Sequence, residues 1–350
     1  MPPADPRFPD ARHGSSRLPG DKSISHRALM LAGLAAATSR IDGLLVGEDV
    51  MATARALRSL GVEVVREAEG RWRVVSGGAV ALREPEDVLD MGNAGTGARL
   101  MMGILAGLPA TCTVTGDASL RSRPMRRVVE PLTAMGAVIL ARSGDRLPLA
   151  IGGRGSPRPI TWRSPVASAQ VKSAILLAGL RADGATTVVE PLPSRDHTER
   201  MLAGMGARVT SERTAAGGLA VTLVGGPELR PQSFVVPGDP SSAAFPLVAA
   251  AIAGGSAVTL EGVGLNPLRT GLLTTLLEMG AAIEIVGRRT VAGEEVGDLV
   301  VQGGRLTGVE VPPDRAPTMI DEYLILAVAA AFARGRTVMR GLAELRVKES

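Results

Sequence analysis

SPVASAQVKSAILLAGLRADGATTVVEP, Ser164 to Pro191, holds the pattern that decides the fold. A polar start containing Ser168, Gln170 and Lys172 opens an apolar, small-residue run that reaches Gly179, and alternating apolar residues follow. The run reads as a helix, the glycine as the point where the chain reverses, and the alternation as a strand. The same design returns in ALMLAGLAAATSRIDGL from Ala28, RLMMGILAGLPATCTVTG from Arg99, PLVAAAIAGGSAVTLEGV from Pro246 and LILAVAAAFARGRTVMRGL from Leu324. Their glycines fall at 33, 107, 179, 254 and 335.

A second pattern alternates with the first: ALRSLGVEVV, LTAMGAVIL, MLAGMGARVT and LLEMGAAIEI, with glycines at 61, 136, 206 and 280. Each reads as a helix that stops at Gly and turns into a strand. One repeat unit is therefore helix, strand, helix, strand, with room for one more strand. The first helices are apolar nearly all round and are expected inside a domain; the second are amphipathic and are expected to cover sheets from outside. At both kinds of helix end the glycine is expected to supply the left-handed C′ residue. Five segments of the first kind face four of the second, so the sequence is expected to be a truncation of a longer protein.

Length and composition narrow the classes. A chain of 350 residues is too long for one ordinary core, which predicts two domains. Cys112 is the one cysteine, so no internal disulfide is possible and a reducing compartment fits. The Pro-rich start MPPADPRFPDARHG lacks the apolar stretch of a signal peptide. No apolar run approaches the roughly 20 residues of a membrane span. A soluble protein is expected. The formal charge of +4 comes from scattered arginines with few aromatics beside them, which argues against nucleic acid and suits small anionic substrates. Only Lys22, Lys172 and Lys348 are lysines among 39 basic residues. In so Arg-biased a chain, a retained lysine points to a place that needs a compact ammonium.

Polar clusters recur at helix starts, where function concentrates. LPGDKSISHR, Leu18 to Arg27, puts Lys22 and Arg27 beside a helix N-terminus, a ready anion site, with Ser23 and Ser25 able to cap it. His26 reads either as a base or as a structural residue. DMGNAGTGARL, Asp90 to Leu100, is a second Gly-rich start, offering Gly95 and, one turn in, Arg99. GDASLRSRPMRR, Gly116 to Arg127, holds Arg123 before Pro124, a placement suited to bidentate anion contact. Ser168, Gln170 and Lys172 open a third start; Ser194 and Arg195 lie in PSRDHTER; GDPSSAAF from Gly238 gives a capped start. Asp321 and Glu322 follow in DRAPTMIDEY, and Arg346, Lys348 and Glu349 in LRVKES. The three histidines are far apart and there is no Cys cluster, so no metal site is expected. No GxSxG elbow supports a Ser-His-Asp triad.

In order, LPGDKSISHR, GNAGTG, GDASLRSRPM, SPVASAQVKSAILLAGL, PSRDHTE, VPGDPSS, RAPTMIDEY and ELRVKES resemble the 5-enolpyruvylshikimate-3-phosphate synthase family, over residues 17–350. The likeness is to the bacterial branch that includes glyphosate-tolerant members. It implies a two-domain inside-out α/β barrel built from βαβαββ repeats, six in a complete member, with two crossovers joining the domains. By that count residues 20–236 form a domain of three units. Residues 1–19 with 237–350 form the other, an incomplete C-terminal domain of about one and a half units. The implied reaction joins phosphoenolpyruvate to the 5-hydroxyl of shikimate 3-phosphate and releases phosphate. No metal or organic cofactor is implied, and a cytoplasmic monomer is expected.

The resemblance also assigns roles. Lys22, Ser23, Arg27, Ser168, Gln170, Ser194 or Arg195, and Lys348 match shikimate-phosphate contacts. Lys22, Gly95, Arg123 and Gln170 match the phosphoenolpyruvate side. Asp321 matches the base for the 5-hydroxyl, and Glu349 the carboxylate that moves a proton at the methylene. Family members continue past RVKE with an Arg and, further on, a His-Arg pair and a Lys. Without them the 350-residue polypeptide is expected to be inactive or nearly so, at about 1.5–3 kcal/mol for each charged hydrogen bond. Tolerant relatives carry Ala in the place of Gly95, so glyphosate sensitivity is expected here. Two alternatives remain: a UDP-N-acetylglucosamine enolpyruvyl transferase, whose reactive Cys would stand where Ala118 is, and a non-catalytic shikimate-phosphate-binding fragment.

Overall fold

In the computed structural model, which describes residues 13–343 and 345, the repeat becomes a series of four-stranded sheets with one internal order. The first element among the described residues is β1 (His13–Arg17). The first repeat is α1 (Lys22–Leu34), β2 (Ala36–Asp42), α2 (Glu48–Ser59), β3 (Glu63–Ala68) and β4 (Arg71–Gly77). The second is β5 (Leu89–Asp90), α3 (Gly95–Ala106), β6 (Thr111–Thr115), α4 (Ala118–Ser122), α5 (Arg126–Ala134), β7 (Val138–Arg142) and β8 (Arg146–Gly152). The third is β9 (Thr161–Arg163), α6 (Ala169–Gly179), β10 (Ala185–Glu190), α7 (His197–Gly204), β11 (Val209–Arg213) and β12 (Leu219–Val224). In the second and third repeats the first two strands pair in parallel across the buried helix, and the last two form an antiparallel hairpin beside them: β5-β6-β8-β7 and β9-β10-β12-β11.

The first repeat lacks a strand of its own before α1, and β13 (Ser233–Val235) fills the place by pairing in parallel with β2. Then come α8 (Pro240–Ile252), β14 (Ala257–Gly264), α9 (Gly271–Glu278), β15 (Ala282–Val291) and β16 (Glu294–Gln302). Here β1 takes the opening position, in parallel with β14. Two strands adjacent in sequence to one repeat thus complete another. A fifth repeat is represented by β17 (Glu310–Val311), α10 (Tyr323–Phe332) and β18 (Val338–Met339), with β17 and β18 parallel.

The contacts divide the chain into two compact units, Lys22–Val236 and a second made of residues up to Asp21 together with those from Pro237. Each has its own apolar core. The division near the start falls at 21/22 because Asp21 is held in the second unit: its amide donates to Pro237 O at 2.8 Å, and its carboxylate accepts from Arg269 at 2.9 Å.

The two helix classes behave differently at their glycines. Gly61, Gly136, Gly206 and Gly280, after α2, α5, α7 and α9, have φ of +90°, +101°, +92° and +87°, the left-handed geometry expected. Of the first class only Gly335 does, at +85°. Gly33 and Gly179 lie within their helices and Gly107 has φ −90°. Their role is close packing. A Cβ on Gly179 would stand 3.1 Å from Thr186 Cβ, and one on Gly33 would stand 3.2 Å from Leu57 Cδ2. The small residue lets α6 touch its returning strand β10 and lets α1 touch α2.

Helices α1, α3 and α6 are buried along nearly their whole length, as their all-round apolar sequence requires, whereas α2 and α5 present one buried face. In the other unit the expectation of full burial fails. Among the described residues, α8 leaves Phe245 exposed and α10 leaves Leu324, Val328 and Phe332 exposed, because only one helix flank of each is covered.

The closest approach of α3 and α6 is at Gly103, where an added Cβ would fall on the carbonyl of Ala174 and 2.8 Å from its Cα. Gly103→Ala is expected to destabilise by about 1–3 kcal/mol or more in denaturant unfolding. Gly204→Ala, in α7 with nothing within 4 Å and no positive φ, is expected to be stabilising by about 0.4–1 kcal/mol.

Candidate active site

Helix starts from three repeats are laced together within Lys22–Val236. Ser168 caps α6 by accepting from the Val171 amide. Two residues on, Gln170 reaches α3: its Nε2 donates to Thr96 Oγ1 at 2.9 Å, and its Oε1 accepts from Arg99 Nη1 at 3.1 Å. Arg27 of α1 donates to Thr198 Oγ1 at 2.7 Å, to Ser173 Oγ at 2.9 Å and to the carbonyl of Ser23 at 2.9 Å. It is 3% exposed, so the guanidinium that the sequence offered as a ligand contact is also a framework tie between α1, α6 and α7.

At the start of α3 the charge is positive and crowded. Arg123 donates to Asn93 Oδ1 at 3.2 Å and to Ser119 Oγ at 3.3 Å. A Cβ on Gly95 would stand 3.2 Å from the Nη1 atoms of both Arg123 and Arg99. Burial and the neighbouring charges of Arg123 and Arg127 bring the Arg99 guanidinium down to about 10. Like charges held together beside a helix N-terminus favour an anion. Ala94, at the N-cap, makes no side-chain cap.

A second charged cluster is fully buried. Lys172, 0% exposed, places Nζ 2.9 Å from Glu190 Oε2, 2.7 Å from Glu199 Oε1 and 3.2 Å from the carbonyl of Ser194. Glu190 Oε1 accepts the Ser168 amide at 2.9 Å and the Ser194 hydroxyl at 2.7 Å. One ammonium faces two carboxylates. Burial raises the Glu199 carboxyl above its ordinary range, and the two carboxylates raise Lys172 against the opposing effect of its own burial.

The remaining expected residues are placed as follows. Lys22 is the first residue of α1, exposed, with Nζ 3.4 Å from Asp49 Oδ2, a pair worth little at such exposure. Ser23 and Arg195 are half-buried. Of the expected residues, Ser23 and Arg27 fall in the α1–α6–α7 cluster, Gly95, Arg123 and Gln170 gather at the start of α3, and Ser168 and Ser194 meet at Glu190, with Lys22 next to Ser23 and Arg195 next to Ser194 in sequence. Ser25, offered as a cap, instead accepts the Leu45 amide from inside α1. His26 is buried with Nδ1 2.8 Å from Thr53 Oγ1, the structural of its two readings. Asp321 belongs to the other unit, half-buried just before α10. Beside it Glu322 accepts from Ser241 Oγ, which accepts from Arg269 Nη2 at 2.8 Å, and Arg269 also reaches Asp21 and Asp239 at 2.9 and 3.1 Å. Arg346, Lys348 and Glu349 lie outside the described residues. Sequence reasoning did not single out Glu190, Glu199 or Arg269, although Glu199 stands within PSRDHTER.

Cys112 lies in β6, 1% exposed, and burial together with Glu84 pushes its thiol up to about 11. Ala118 opens α4. The thiol is placed for packing.

The fold is that of the enolpyruvyl transferases. The EPSP synthase from Acinetobacter baumannii superposes with a TM-score of 0.87 at 44% identity, over 98% of this chain and 77% of that one. The enolpyruvyl transferase NikO from Streptomyces tendae, at 17% identity and a TM-score of 0.71, shares the fold. The EPSP synthase (3-phosphoshikimate 1-carboxyvinyltransferase) family model matches residues 8–350. The 3-phosphoshikimate 1-carboxyvinyltransferase of Paramagnetospirillum magneticum is 61% identical over 337 residues, 96% of this chain and 76% of that protein. That of Granulibacter bethesdensis is 63% identical over 334 residues, 95% of this chain and 74% of that protein. The chain belongs to the EPSP synthase family, enzymes of the shikimate pathway of aromatic amino-acid biosynthesis.

Because the raised Glu199 carboxyl resists ionising, its contribution to stability is fully present below the ordinary carboxylate range and is lost as pH climbs from that range through the raised folded-state value. Glu199→Gln imitates the protonated form. The melting-temperature difference, variant minus parent, is expected to grow more positive from pH 4 to pH 8; a constant difference would count against the assignment.

Proposed function

We propose that the linked helix starts of Lys22–Val236 hold the two substrates, shikimate 3-phosphate and phosphoenolpyruvate, and that Asp321 and Glu349 handle the protons. The observation that carries this reading is Gln170, whose amide joins the Ser168 helix start to the Arg99 and Gly95 helix start. In this division Lys22, Ser23, Arg27, Ser168, Gln170, Ser194, Arg195 and Lys348 serve shikimate 3-phosphate. Lys22, Gly95, Arg123 and Gln170 serve phosphoenolpyruvate, with Arg99 beside them.

The chemistry needs two proton transfers. The 5-hydroxyl oxygen bonds to C2 of phosphoenolpyruvate and gives its proton to Asp321, while the methylene carbon gains a proton, supplied through Glu349 with Lys22. The product is a tetrahedral intermediate. Loss of phosphate and return of the methyl proton restore the double bond. Cations about Gly95 offset the charge that gathers on the leaving phosphate. Separate carboxylates and an ammonium can act as acid and base in turn where their surroundings hold their pKa values apart.

For the 350 residues taken alone, the reading is that they bind shikimate 3-phosphate and are inactive or nearly so; they span 76% of the length of the Paramagnetospirillum magneticum relative. A monomer suits this reading, because the matched groups all come from one chain.

Calorimetry with shikimate 3-phosphate tests the first part: binding is expected, and Lys22→Met should weaken it by about 10- to 150-fold, the loss of a charged hydrogen bond. Binding unchanged in that variant would remove Lys22 from the site. A steady-state assay showing fast turnover would overturn the second part. Gly95→Ala, whose methyl would press on Arg99 and Arg123, should weaken glyphosate binding to the shikimate 3-phosphate complex. Equal affinity in both forms would refute it.

A further inference from the structure

Lys172 is the lysine that the proposed chemistry does not use. Its ammonium has three N–H donors, and three acceptors surround it: Glu190 Oε2, Glu199 Oε1 and the Ser194 carbonyl, at 2.9, 2.7 and 3.2 Å. An arginine would bring a planar fork of five donors to this fully buried place, which explains why a chain with 36 arginines keeps a lysine here. Two of the acceptors lead to one place. Ser194 is bound directly through its carbonyl. Glu190 turns its other oxygen to the Ser194 hydroxyl and to the Ser168 amide. The helix start of α6 and the loop before α7 are therefore set against each other by one buried ammonium.

We propose that Lys172 is the positioning residue of the phosphate subsite for shikimate 3-phosphate, fixing Ser194 directly and the amide of Ser168 through Glu190. The inference rests on the reading of Ser168 and Ser194 as phosphate contacts. The Ser194 hydroxyl donates to Glu190, so a phosphate that takes that hydrogen bond takes it from the carboxylate. Lys172 leaves Glu190 compensated when the hydroxyl turns away. A carboxylate without that ammonium would hold the hydroxyl and repel the phosphate. Glu199, inclined to stay protonated, limits the negative surplus of the cluster.

The test compares shikimate 3-phosphate with shikimate, which lacks the phosphate, by calorimetry on the 350-residue chain. A residue that merely supports the fold changes both affinities together. In Lys172→Met/Glu199→Gln the preference for the phosphorylated ligand should fall at least tenfold while shikimate affinity stays within about threefold. An unchanged preference overturns the proposal. Ser194→Ala separates the two levels: if it leaves the preference intact, the phosphate reading of Ser194 fails; if it lowers the preference and the Lys172 variant does not, only the positioning role fails. A measurement on the unmodified chain guards against variants that do not fold. With three lysines, the 15N ammonium spectrum is simple, and a buried Lys172, hydrogen-bonded to the Ser194 carbonyl and ion-paired with Glu190 and Glu199, should give a slowly exchanging signal. Shikimate 3-phosphate should shift it and shikimate should not. A signal indifferent to both ligands overturns the proposal.

Discussion

Much of Lys22–Val236 depends on one steric constraint, the approach of α3 to α6 at Gly103. With no Cβ there, the backbone of one helix rests on Ala174 of the other. That approach lets the amide of Gln170 reach Thr96 and Arg99 at hydrogen-bond distance. A methyl group at Gly103 would separate two helices and, with them, two halves of a polar network. Packing and chemistry meet at a glycine that makes no polar contact itself.

Burying a helix along its whole length has a further consequence. Its backbone is satisfied internally except at the ends, where four amides lack partners. Helices α1, α3 and α6 share this condition, and their starts carry the polar residues. The side chains there bond within the protein as much as they offer groups to a ligand: Arg27 to Ser173 and Thr198, Ser168 to the backbone amide of Val171, Gln170 to Arg99. These side chains are hydrogen-bonded in place without any ligand, and preorganisation of this kind is what electrostatic stabilisation of a transition state requires.

The repeat was plain in the sequence because its physics is local. Glycine after an amphipathic helix must be left-handed for the chain to turn back, and Gly61, Gly136, Gly206 and Gly280 obey. The same reasoning misread Gly33, Gly107 and Gly179, whose purpose is contact with Leu57, Arg181 and Thr186, residues whose proximity only the folded chain creates. That residues 1–19 belong with 237–350 came from family likeness, whereas the pairing of β1 with β14 and of β13 with β2 emerged only in the fold, because no local signal tells a strand to leave the repeat next to it. Helix-start motifs pointed to Ser168, Gln170 and Arg123 because capping and anion binding leave a compositional mark. Glu190 ends a strand, Glu199 lies inside a helix and Arg269 follows a loop, so each reads as an ordinary charged residue until burial is known.

Burial also gives the two charged clusters opposite characters. Around Lys172 one ammonium meets two carboxylates, and the surplus is negative, checked by a Glu199 carboxyl reluctant to ionise. Around Gly95 the guanidiniums of Arg99 and Arg123 adjoin with Arg127 near, and the surplus is positive; burial first, and that surplus second, ease proton loss from Arg99. Neither arrangement is the most stable that these side chains could make, since like charges held together cost free energy. An anion at the Gly95 end lowers that cost, whereas one at the Ser194 end adds to the carboxylate surplus unless the hydroxyl turns from Glu190. The first place therefore attracts by charge, and the second must select by geometry. That difference suits two substrates of which one is small and highly charged and the other is a ring whose phosphate has to be set in a fixed position.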